Sequence, residues 1–336
     1  MLVPAASLTL AELRYDTHAV ALRLRRARLP AADRLDVLLP AGVRFEAAPG
    51  DPAMLDLDGG EGATRVFTGR VAEIRRTLSG ITVVARGGAA PLAQARPVLA
   101  LEATSAGDAI RELLDAAGVD AGEIADGPRL ALWANDGRTT ALAAIARLAL
   151  LSGCGAAFDG DGALHVTAGG GPDDAFAIKH GREIVEAELV AAVNDAAAPY
   201  VVGEGADKAG SARARLIAAD FTAGGAPAGS RRLAFPEIRD TDAAREAAAA
   251  VAHARARRAS RVRLVTFLLP KAAPGTRIEV QDMPDAVPLA ELRVEQVVHT
   301  LHAGHAAHSV LLGTGVTAPP SPDLLGAALG ALGGLL

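Results

Sequence analysis

The stretch Val297–Val310, VVHTLHAGHAAHSV, holds four of the chain's eight histidines at a spacing of three: His299, His302, His305 and His308. Two readings compete for it, a metal site in an enzyme or a β-hairpin turning at Ala303–Gly304. As a hairpin, the stretch sets His302 opposite His305 and His299 opposite His308. Strand side chains alternate between faces, so the two pairs lie on opposite faces with two imidazoles on each. A structural zinc takes four ligands and a catalytic one three, and no Cys, Asp or Glu within the hairpin completes either set. On a helix, steps of three would also scatter the rings around the axis. The stretch therefore reads as a hairpin with no metal and no cofactor assigned. His299, His302, His305 and His308 remain the ligand set of the alternative, a metal-dependent hydrolase.

Working outward, the hairpin sits among other short apolar runs. RVRLVTFLLP, TRIEV, LRVEQVVHTL and AAHSVLLGTG read as strands, as do HAVALRLRRARL, RLDVLLP, RVFTGRVAEIRR and GITVVARGG between Tyr15 and Gly88. GDPAMLDLDGGEGAT reads as an exposed hairpin or loop. Between Leu101 and Ala168 the period changes. SAGDAIRELLDAAGV is a helix with Ser105 as N-cap and Gly118 as stop, and RTTALAAIARLALLSG is a second helix ended by Gly153. GAAFDGDGALHVTAG folds back as a hairpin around Asp159–Gly162. A long Ala-rich helix, DTDAAREAAAAVAHARARRAS, precedes the last strands. The fold class is α+β, mostly β. The expected domains are residues 1–98, a first β domain; 99–170, an α/β insert; 171–316, a second β domain carrying the long helix; and 317–336, a Pro-rich linker and apolar tail.

Composition narrows the functional classes. The 336 residues are 50% hydrophobic and 22% charged, with 36 Gly and 19 Pro, which is globular. Only 3% are aromatic, so cores are built from Ala, Val, Leu and Ile. The single cysteine, Cys154, excludes an internal disulfide, and no secretory signal is legible at the start. No run approaches the roughly 20 apolar residues of a membrane span. A net charge of −5 argues against wholesale nucleic-acid binding. FDGDG lacks the later ligands of a calcium loop and reads as a turn, while GGGPDD and GEGADKAG lack the strand-to-helix setting of a dinucleotide loop. Two basic clusters stand out: Arg23, Arg25, Arg26 and Arg28, then Arg255, Arg257, Arg258, Arg261 and Arg263. The second complements the negative end of the long helix, or offers a basic surface to an acidic partner or passing DNA. In the tail, Leu324, Leu325, Ala328, Leu329 and Leu332 make a helical apolar stripe behind Asp323, a candidate partner-binding segment too short to span a bilayer.

In order and spacing these motifs resemble the late-control D family of phage tail hub proteins, over about Leu22 to Gly315. The Ala/Arg-rich helix, Pro274–Gly275 before RIEV, Val297–Val298–His299 and Gly304 fit its C-terminal part. FTGRVAEI fits its Phe-Thr-Gly strand, and SAGDAIRELLDAAGV with FDGDGALHV fits its insert. The resemblance implies two small tail-tube-like β-barrels per chain and a homotrimer. Six barrels then adapt a sixfold tube to a threefold spike in a phage tail, R-type bacteriocin or contractile injection system. It implies a structural protein and no enzyme, assembled in the bacterial cytoplasm. Its partners would be a separate spike protein, the tail tube protein and baseplate or tape-measure proteins, with no membrane and with DNA or cargo only in transit. It also implies that the histidine hairpin is an edge of the second barrel, near neighbouring chains. The family pattern carries only the first of the four histidines. A carbohydrate- or peptide-binding module is the remaining alternative.

Overall fold

The computed structural model describes residues 5–16, 19–172, 174–191, 199–204, 215–218, 231–235, 237–238, 241–257, 260–303 and 307–317. Seven strands come first: β1 (Ala5–Leu10), β2 (Leu13–Arg14), β3 (Ala21–Ala27), β4 (Arg34–Pro40), β5 (Pro52–Asp58), β6 (Ala63–Arg76) and β7 (Gly80–Gly87). A mixed segment follows: α1 (Ala89–Gln94), β8 (Val98–Ser105), α2 (Ala106–Ala117), β9 (Ala121–Ile124), β10 (Arg129–Asp136), α3 (Ala141–Leu151), β11 (Gly155–Phe158) and β12 (Leu164–Thr167). The last third contains β13 (Ala175–Lys179), β14 (Ile184–Ala191), β15 (Pro199–Glu204), β16 (Arg215–Ala218), β17 (Arg231–Phe235), α4 (Thr241–Arg257), β18 (Ser260–Phe267), β19 (Arg277–Gln281), β20 (Leu289–His302) and β21 (His308–Thr317).

One thirteen-stranded sheet runs through both β parts in the order β14-β18-β21-β20-β3-β4-β7-β6-β5-β1-β2, with β19 also on β20 and β13 on β19. The joint is β20. Near its start it pairs with β19, Arg293 facing Arg277, and from Gln296 to His302 it pairs with β3, Val298 facing Arg25. Strand β21 covers its other edge along the whole length. Period-2 patterning explains why β3 accepts this partner. In ALRLRRA, Leu22 and Leu24 point inward while Arg23 and Arg25 point to solvent, so the apolar face continues that of β20.

Three apolar cores result. One lies inside the curl of β1 to β7 and is built on Leu24, Leu35, Leu55 and Phe67. A second lies within β13, β14 and β18 to β21 around Leu264, Leu292 and Leu311. The third belongs to the mixed segment and takes in α2, α3 and the Ala243, Ala244 and Ala247 face of α4. Small side chains let the helices approach closely, and Arg147 of α3 fixes the contact by a two-pronged bond to Glu237 at 2.6 and 2.9 Å. The α2 caps are those read from sequence: Ser105 Oγ accepts from the Asp108 amide, and Gly118 ends the helix at φ 63°.

Two expectations need correction. The hairpin is no edge, because β20 lies between β21 and β3 in the sheet interior. Pairing with a strand some 270 positions earlier leaves no local pattern to read. The segment GDPAMLDLDGGEGAT is the hairpin of its two readings, β5 turning into β6 through 59–62, but it is not exposed: Ala53, Leu55 and Leu57 are fully buried. Asp56 is the polar half of an alternation, whereas Asp58 holds the β5–β6 turn, its Oδ1 accepting from the Gly60 and Gly62 amides at 2.6 and 3.1 Å.

The second core docks on the mixed segment by backbone contact. A Cβ on Gly171 would stand 2.0 Å from the Pro274 carbonyl oxygen, and one on Gly275, at φ 98°, would stand 2.5 Å from the Gly171 nitrogen. Gly275→Ala is therefore expected to cost about 1–3 kcal/mol, read as a lower urea midpoint at unchanged m-value.

Candidate functional site

The structure separates the four histidines. The observed register pairs His299 with Ser309 and Thr300 with His308, one residue off the expected pairing. His299 points inward and is fully buried, with its Nδ1 2.8 Å from Ser309 Oγ. His302 and His308 fall on the opposite, outer face, and His305 lies outside the described residues. No group of three or more metal-binding side chains occurs among the described residues.

Beneath the sheet, His299 adjoins a buried ion pair that ties the first β part to the mixed segment. Arg26 on β3 and Asp33 in the loop after it are 2% and 4% exposed, with Nε 3.7 Å from Oδ2. Arg26 Nη2 donates to the Phe158 carbonyl of β11 at 2.7 Å, and the Ala27 amide donates to Asp33 Oδ1 at 3.0 Å. The Leu29 amide reaches the Ala156 carbonyl at 2.7 Å, and Thr68 Oγ1 donates to the Gly160 carbonyl at 2.8 Å. Arg28 donates to the Gly169 carbonyl. Strands β3, β6 and β11 are thus stitched by groups withdrawn from water. Burial raises the Asp33 carboxyl to about 6 even against the Arg26 charge, and burial lowers Arg26 in turn. Burial, then the Arg26 charge, push the His299 imidazole down to about 3, with the Ala272 backbone acting in the opposite direction. A sequence signal for this joint existed. Arg25 and Arg26 are adjacent in a strand of period 2, so one of them must face the core.

The FDGDG stretch is a turn, as expected. Asp159 Oδ1 accepts from the Gly162 and Ala163 amides at 2.8 and 2.9 Å, and Oδ2 meets His165 Nε2 at 3.0 Å. Its oxygens are spent on these partners, which hold the carboxyl below the usual range although burial works against them.

The outer face carries an open groove of ≈ 720 Å³ where the two β parts meet, lined by Arg23, Asp36, Thr300, His302, His308 and Leu312 among others. The second arginine cluster divides between elements. Arg261 and Arg263 belong to β18, Arg263 bonding Glu186 at 2.8 Å on the rim of this face. The side chains of Arg255 and Arg257 at the end of α4, and Arg258 with them, lie outside the described residues. So do Leu324, Leu325, Ala328, Leu329 and Leu332.

Comparison with solved structures accounts for this architecture. The chain is similar to the 43 kDa tail protein of prophage MuSo2 from Shewanella oneidensis, with TM-score 0.67 and 13% identity over 94% of this chain and 98% of that one. The chain has the fold of phage tail proteins. A tail protein of Neisseria meningitidis MC58 gives TM-score 0.67 and 14% identity over 93% and 96%. An E. coli component of the type VI secretion system, itself similar to the T4 tail proteins gp27 and gp5, gives 0.60 and 11% over 92% and 77%. No family model and no curated protein matches the sequence. The tail-protein fold fits the expected α+β, mostly β class.

Two measurements follow from these groups. With His299 inward and His302 outward, zinc should not copurify in stoichiometric amount, which elemental analysis of the full chain will check. The buried joint makes a pH prediction. Asp33, raised in the folded state, binds its proton more readily there, so its contribution grows as pH falls through 6 toward 4. His299, lowered in the folded state, acts oppositely: the unfolded chain takes up a proton between about 6.5 and 3, and stability falls with pH in that window. The two oppose each other, so Asp33→Asn should steepen the loss of stability between pH 6.5 and 4, measured by urea midpoints across that range.

Proposed function

We propose that the chain is a baseplate hub subunit, three copies of which form a ring of six β units that adapts a sixfold tail tube to a threefold spike. The observation that carries this reading is β20, which joins two β units of one chain into a single curved sheet. A ring of three such chains would present six similar units in threefold symmetry. Open sheet edges support the reading. Strand β14 ends the sheet with Val185 and Val190 exposed, and Phe267 on adjoining β18 is 62% exposed. An unpaired edge with apolar side chains is suited to a neighbouring strand. On this reading the protein is structural and not an enzyme. It assembles in the bacterial cytoplasm with a tube protein, a separate spike protein and other baseplate or tape-measure proteins, while DNA or cargo passes in transit. The late-control D resemblance agrees with this, and the machine is a phage tail, bacteriocin or injection system. The apolar tail stripe is assigned to the spike contact.

The test is native mass and class-averaged electron images of the full chain, alone and with its spike. A trimer is expected, burying well above the ~1,600 Å² of a standard interface. A monomer at micromolar concentration with the spike present would overturn the reading. Truncation after Pro322 should leave the trimer intact and weaken spike capture in a pull-down.

A further inference from the structure

The pairing registers bring four arginines side by side across four adjacent strands. Arg70 of β6 faces Arg86 of β7, Arg86 faces Arg34 of β4, and Arg34 faces Arg25 of β3. Directly paired residues share a face, so all four project from the side opposite the core, and all four are exposed. At ~4.8 Å between strands the row is about 14 Å long. Like charges placed opposite one another on a sheet are destabilising, by roughly 0.2–1 kcal/mol per pair. Nothing in the fold requires this row. Two carboxylates stand beside it on the face: Asp36, which takes Arg34 at 2.8–3.0 Å, and Glu73, which is bonded to Arg75 at 2.8 Å and also acts on Arg34. Arg25 bonds the neutral Gln296 Oε1 at 2.9 and 3.1 Å, and Arg70 Nη1 donates to the Gly50 carbonyl at 3.0 Å. Arg23 adds a fifth guanidinium beside Asp36. Such a concentration in a chain of net charge −5 calls for negative charge from outside.

We infer that Arg25, Arg34, Arg70 and Arg86 form a contact for the sugar–phosphate backbone of a nucleic acid. Every member is arginine, whose planar fork takes two phosphate oxygens at once. The row is straight and evenly spaced, which matches a polymer of repeating charge. Pro52 and Val298 close its ends, and Asp36, Val84 and Glu73 lie beside it, so no ring stands among these neighbours to stack on a base. The groove adjoins the Arg25 end of the row, with Gln296 and Val298 in its lining. Recognition is therefore of backbone and not of sequence. This rests on strand register alone and holds whether or not the chain is a hub.

The experiment is fluorescence anisotropy of the full-length protein with a labelled duplex and a labelled single strand of mixed sequence, each about 30 nucleotides long, from low to physiological salt. Polyglutamate serves as competitor. Binding should weaken with salt at a slope near −3 to −4 for about four phosphate contacts. Arg34→Gln/Arg86→Gln should weaken it at least about tenfold and reduce the slope by about two. The same pair should leave the thermal midpoint unchanged or raised, because like-charge repulsion is relieved. Arg129→Gln/Arg138→Gln, an exposed pair on the mixed segment, should change nothing. No binding at about 50 mM salt, or binding indifferent to the Arg34/Arg86 change, would overturn the inference. Polyglutamate binding more tightly than either nucleic acid would reassign the row to an acidic protein segment. A changed oligomeric mass in the Arg34/Arg86 variant, with nucleic-acid binding intact, would reassign it to a contact between copies of the chain.

Discussion

The pairing of β20 with β3 is the constraint on which the rest depends. Each β part holds its own core, yet neither sheet is complete without the other, because one strand supplies a ladder edge to both. An interior strand of this kind has its backbone groups paired on both sides, here with β3 and β21. It also fixes the angle between the two parts far more firmly than a linker could. Loop closure over such a sequence separation is entropically costly, so the contact must be repaid by a long register, here Gln296 to His302.

Charge buried at that junction refines it. Arg26 and Asp33 are placed where apolar residues of similar size would cost less to bury, since desolvation of such a pair rivals its attraction. What the pair supplies is direction. A guanidinium that must meet both Asp33 and the Phe158 carbonyl tolerates one arrangement of β3 against β11, whereas leucines would tolerate several. His299 fills the remaining space as a neutral imidazole held by Ser309. His299 is thus a core residue, and His302 and His308 lie on the outside.

The opposite faces of the same strands do different work. Inward positions of β3, β4 and β7 carry Leu22, Leu24, Leu35, Val37, Val83 and Ala85, and outward positions carry the arginines. A sheet whose outer face is charged and whose inner face is apolar can present a partner surface without loss to its core. Elsewhere the chain uses alanine where close approach matters, as on α4 against α3, and glycine where backbones touch, as at Gly171 and Gly275.

The sequence by itself determined the local elements. Ser105 and Gly118 bounded α2, Gly153 stood just past the end of α3, and period-2 runs marked most of the large strands, because caps and alternation act within a few residues. Side-chain alternation alone also put His299 and His302 on opposite faces, as the structure has them. The sequence left β5 open between hairpin and loop and took it as exposed, since only the packed sheet shows which face is covered, and it misplaced the histidine hairpin register by one residue. Tertiary structure alone decided that β20 is interior, that Arg26 turns inward while Arg25 turns outward, and that four arginines from β3, β4, β6 and β7 line up. Those outcomes depend on pairing between strands up to some 270 residues apart, and a one-residue change of register would reverse every face.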